Sequence, residues 1–66
     1  MNANTVRRML KDREGDYIVV DVICTNGSYE IIEGIYQEYH KATSFMNPSI
    51  RVNDEWIACK NIEDIH

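Results

Sequence analysis

A chain of 66 residues has room for one domain, and burying roughly 60% of its unfolded surface leaves only a small core. Its 44% hydrophobic content excludes general disorder, and the apolar run Tyr17 to Val20 is far too short to span a membrane. The net charge of −4 is unevenly held: residues 1–13 carry four bases against one acid, about +3, and residues 14–66 carry three bases against ten acids, about −7.

The opening segment MNANTVRRML has no signal-peptide apolar core and reads as mature protein. A short helix is expected from about residue 5 to 14. Asn4 or Thr5 is its N-cap and Gly15 its stop, with a narrow stripe of Val6, Met9, Leu10 and Arg13 turned inward. Arg7, Arg8 and Lys11 point elsewhere. Five strands are expected within residues 16–66. The first is DYIVVDVIC, dense in β-branched residues.

Asn26-Gly27 is a two-residue hairpin signal. It sets Cys24 against Tyr29, Val22 against Ile31 and Ile18 against Ile35 on one apolar face. The same register places Glu33 on that face opposite Val20, with Val19 against Gly34 and Tyr17 against Tyr36. A carboxylate on the core side next to a glycine implies a bulge or bend at Glu33-Gly34, as a small closed barrel requires. The second strand runs to about His40, and Asn47-Pro48 marks a turn. SIRV and WIACK form a second hairpin around Asn53-Asp54-Glu55. NIEDIH, with isoleucines three apart, fits a 3₁₀ turn or a kinked last strand. The fold class is therefore mostly β: one short helix followed by a five-stranded, strongly bent antiparallel SH3-like barrel, a single domain over residues 1–66.

Cys24 and Cys59 are too few for a disulfide scaffold, so both are expected as free thiols in a reducing, cytoplasmic setting. Glu38-Tyr39-His40 and Asp64-Ile65-His66 each place a carboxylate two residues before a histidine, on one strand face, but two ligands do not make a metal site. No catalytic constellation, cofactor motif or metal motif is present, and no enzyme activity is expected. Tyr36, Tyr39 and Phe45 gather around the exit of the second strand beside His40 and Lys41, where rings next to bases can stack nucleobases.

The layout resembles the Sm-like family, in particular its bacterial RNA chaperones. VRRMLKDREGDYIVVDVICTNG is similar to that family's helix and first strand, YEIIEGIYQEYH to its second strand with Gly34 at the bend, and WIACKNIEDI to its closing segment. The resemblance implies a non-enzymatic RNA-binding module that forms a ring by pairing the fourth strand of one copy with the fifth of the next. It also implies a base-stacking ring at Tyr39 or Phe45 and a pore-lining contact at Lys60. Asn61 stands where the family has histidine, and Cys59 where it has tyrosine. The residues expected to contact nucleic acid are Arg7, Arg8, Lys11, Tyr39, His40, Lys41, Arg51, Lys60 and Asn61. A second reading is an acidic interaction or inhibitor module that mimics phosphates and docks a basic protein.

Overall fold

The computed structural model describes residues 1–66. A helix α1 (Ala3–Met9) is followed by strands β1 (Tyr17–Ile23), β2 (Tyr29–His40), β3 (Ser49–Val52) and β4 (Glu55–Ala58). A 3₁₀ turn (Cys59–Asn61) then leads to β5 (Ile62–Ile65). The five strands form one antiparallel sheet in the order β4-β3-β2-β1-β5.

The helix lies earlier than its expected 5–14 span. Asn2 is the N-cap, its side chain accepting a hydrogen bond from the Thr5 amide at 2.8 Å. The helix ends before Gly15 because Asp12 turns to φ 61°, a left-handed conformation that aspartate tolerates better than most residues. Two further turns, Arg13 amide to Leu10 carbonyl and Asp16 amide to Arg13 carbonyl, carry the chain to β1. Val6 and Leu10 are buried as expected, whereas Met9 is partly in solvent.

The hairpin register differs by one residue from the expectation. The Gly27 amide donates to the Cys24 carbonyl and the Cys24 amide to the Ser28 carbonyl, so three residues, Thr25, Asn26 and Gly27, make the loop. Gly27 takes φ 84° and absorbs the extra residue, while Asn26 accepts from the Ser28 amide and hydroxyl. The observed pairs run Tyr17 with Ile35, Ile18 with Gly34, Val19 with Glu33, Val20 with Ile32, Asp21 with Ile31 and Ile23 with Tyr29. A slip of one residue exchanges the two faces of the partner strand. Glu33 therefore faces solvent with no bulge, and Ile31 and Ile35 face solvent with it.

The bend in β2 survives this correction but has a different origin. Residues up to Ile35 pair with β1, and residues from Tyr36 pair with β3, with the register shifting between Tyr36 and Glu38. Gln37 is the extra residue, and it clamps the β3–β4 turn. Its Nε2 donates to Asp54 Oδ1 at 2.9 Å and its Oε1 accepts from the Asp54 amide at 2.7 Å. Gly34 lies against that turn, 2.8 Å from the Asn53 Cβ measured from where a side chain would begin. Asn53 and Asp54 take φ 51° and 65°, the left-handed pair that a tight two-residue hairpin requires.

A second bulge settles the isoleucine spacing. Ile65 pairs with Val20, Asp64 with Asp21 and Ile62 with Val22, so Glu63 is extruded and both isoleucines reach the core. That core comprises Val6, Leu10, Ile18, Val20, Val22, Tyr36, Ile50, Val52, Ile57, Cys59, Ile62 and Ile65. The mostly β architecture, one short helix and a five-stranded antiparallel sheet, is as expected, and the sheet is open rather than closed. β4 and β5 are the two ends of the sheet order and make no ladder with each other; the 3₁₀ turn connects them. They are the two edge strands, and on β5 the Ile62 carbonyl accepts from the Met1 ammonium at 2.7 Å and the Ile65 amide donates to the Asp64 carboxylate at 2.9 Å.

Candidate functional site

The expected contact residues fall into three groups rather than one. Arg7 on α1 and Lys11 in the turn after it line an open groove of about 320 Å³ together with Leu10, Glu14, Tyr36, Glu38 and Tyr39. Arg7 lies in the last turn of α1, and Lys11 lies in the turn that follows its Leu10 C-cap, where the Lys11 amide donates to the Arg8 carbonyl at 3.5 Å. The Arg7 guanidinium lies over the Tyr39 ring at 5.3 Å from its centroid, an attraction worth about 0.5–1 kcal/mol at a surface site. Tyr36 is part of the core, and Phe45 stands alone in the loop at 99% exposure, so the expected aromatic cluster reduces to Tyr39.

The second group lies on the outer side of β2–β4. The Arg51 guanidinium is 3.7 Å from Glu38, 3.5 Å from Asp54 and 5.6 Å from the Trp56 ring centroid. The His40 ring meets Trp56 edge-on at 5.8 Å, and its Nδ1 lies 2.8 Å from the Lys41 carbonyl. Arg51 is therefore already neutralised by two carboxylates, whereas Lys41 is exposed. Trp56 was not among the expected contacts. Its signal was its place beside Glu55 and opposite Arg51, where a ring on an outward strand position has no core to enter.

The third group is Lys60, exposed, and Asn61, half-buried, on the 3₁₀ turn that packs against α1. Arg8 is exposed on the helix. Arg7 and Lys11 thus line the groove, whereas Arg8 and Lys60 lie outside its lining. Burial raises the Cys59 thiol pKa, so at the position where the Sm-like pattern has tyrosine this chain places an inert core thiol. Cys24 is half-buried, and both cysteines are free.

Of the two carboxylate–histidine pairs, only Asp64 and His66 come together, and Asp21 joins them. Asp21 and Asp64 are direct cross-strand partners, an arrangement that repels. The His66 Nε2 lies 3.1 Å from Asp21 and 3.7 Å from Asp64, so a protonated ring answers both. One ligand atom from each of the three lies within 4.8 Å of the others, so this is where a cation could be held. The hydrogen bond to Asp21, and then the charge of Asp64, raise the His66 pKa above the ordinary histidine value.

A raised folded-state pKa gives stability that is complete below the unfolded value and lost as pH rises through the folded one. Wild type is expected to melt above His66→Gln at about pH 5.5, and the two melting curves should converge at about pH 8.5. Thermal melts at both pH values check this.

No helix is long and apolar enough to cross a membrane. No family model, curated protein or solved structure matches the chain.

Proposed function

We propose that this chain is a non-enzymatic, Sm-like module of the cytoplasm that assembles into homo-oligomers and binds single-stranded RNA in the groove between α1 and β2. The observation that carries the reading is the Arg7–Tyr39 stack. It sets an aromatic face, a guanidinium and the Lys11 ammonium around one open groove, the combination that tracks a backbone and stacks a base.

Charge segregation supports it, because an acidic chain can approach phosphates only where its bases gather. Glu38 in the groove is paired with Arg51, leaving Glu14 as the one lining carboxylate without an ion-pair partner. Lys60 extends the basic side across the 3₁₀ turn. The edge positions of β4 and β5 support assembly, since a ladder between copies would pair the one with the other once the Met1 ammonium leaves the Ile62 carbonyl.

The test is fluorescence anisotropy with a labelled single-stranded RNA oligomer over a salt series. Three phosphate contacts, from Arg7, Lys11 and Lys60, give a slope of log affinity against log salt of about −2. Absence of binding at low salt overturns the reading. Sedimentation of the same sample reports the assembly separately.

A further inference from the structure

The side of the sheet turned away from α1 carries a second surface. The observed register puts Tyr17, Val19, Asp21 and Ile23 of β1 on this side, facing Ile35, Glu33, Ile31 and Tyr29 of β2. Tyr29, Ile31, Tyr17 and Ile35 are 71%, 67%, 56% and 45% exposed, and they are neighbours in space rather than scattered. An apolar field of this kind on a small chain marks a contact surface.

Its charge identifies what would cover it. Glu33 and Asp21 stand within it, and Asp64 borders it on β5. No lysine or arginine occurs anywhere in β1, β2 or β5; the carboxylates on this side are Glu33, which has no ion-pair partner, and Asp21 and Asp64, which share the single His66 ring. A nucleic acid or an anionic membrane would be repelled. A second copy presenting this same face would set carboxylate against carboxylate, so a two-fold dimer through it is disfavoured.

We propose that the outer face of β1–β2 is a docking surface for a partner protein that offers apolar side chains flanked by lysine or arginine. Ile31 and Ile35 would supply the apolar contact and Glu33, with Asp21 at the margin, the charge pairing. This surface lies across the core from the Arg7–Tyr39 groove, so the proposal stands or falls separately from RNA binding.

The test uses the full chain, isotopically labelled, and a synthetic amphipathic leucine–lysine peptide, with a leucine–glutamate peptide as control. Amide shifts are expected at Tyr29, Ile31, Glu33 and Ile35 with the lysine peptide only, and none on α1. Ile31→Ser with Ile35→Ser should weaken binding at least about tenfold, and Glu33→Lys should weaken it by about the same factor. These side chains are exposed, and unchanged melting of the variants separates lost contact from lost fold.

Equal binding of both peptides, shifts confined to another face, or no binding each overturns the proposal. So does sedimentation showing self-association of the wild type that Ile31→Ser with Ile35→Ser abolishes, because the occupant would then be a second copy.

Discussion

Gly34→Ala is expected to destabilise the fold by about 2–5 kcal/mol, the sum of a backbone penalty and an overpacking penalty of similar size. A chain of 66 residues has a total stability of only about 3–10 kcal/mol, so this one methyl group removes a large part of it. Two separate observations give the effect. Gly34 holds φ 157°, which an L side chain rarely adopts, and the added Cβ would meet the Asn53 Cβ at 2.8 Å. Urea denaturation followed by circular dichroism measures the loss.

Two controls isolate its cause. Gly27→Ala has open space around it and only the left-handed φ of 84° to contend with, so its cost is about 1–2 kcal/mol. Asn53→Gly removes the colliding atom at a position whose own φ of 51° glycine accepts. Gly34→Ala combined with Asn53→Gly should therefore recover part of the stability that Gly34→Ala alone loses. Without any recovery, the close approach of β2 to the β3–β4 turn is not what requires glycine.

The second large effect is functional. Arg7→Glu with Lys11→Glu should reduce RNA affinity at low salt by well over about tenfold and flatten the salt slope by about 1.4, the share of two phosphate contacts on a single strand. Both side chains are exposed, Arg7 on α1 and Lys11 in the turn after it, so the fold should persist. Arg51→Glu is the informative contrast. Its guanidinium already faces Glu38 and Asp54, so reversing it should disturb the β2–β4 surface more than it changes RNA affinity. Anisotropy and thermal melting on the same samples distinguish the two outcomes.

Asn26-Gly27 announced a turn, and a turn is there, but the same dipeptide serves a two-residue or a three-residue loop. Choosing between them depends on hydrogen bonds from the Cys24 amide to the Ser28 carbonyl and from the Gly27 amide to the Cys24 carbonyl that no local pattern encodes. That single ambiguity reversed the assignment of Ile31, Glu33 and Ile35. It turned an apparently flawed core face into an exposed one and hid the second surface.

Gly15 likewise marked a turn correctly, yet the helix had already ended, because Asp12 could take the left-handed conformation earlier. The site was legible in part. The bases of α1 and Tyr39 were identifiable as residue types, but their meeting in one groove depends on how α1 packs over the far half of β2. The neutralisation of Arg51 and the convergence of Asp21 on His66 required neighbours 13 and 45 positions away in the chain.

The sequence by itself determined one small, mostly β domain with a leading amphipathic helix, turns at Gly15, Asn26-Gly27 and within Asn53-Asp54-Glu55, and a separation of basic from acidic residues; the structure places Glu55 in β4. These follow from local conformational preference, the period of apolar residues and the order of charges. Only the tertiary structure decided strand register, the open sheet with edges at β4 and β5, and which side of it each charge occupies. Register and edges are fixed by long-range hydrogen bonds and by the packing of twelve core side chains, and a shift of one residue there exchanges inside for outside.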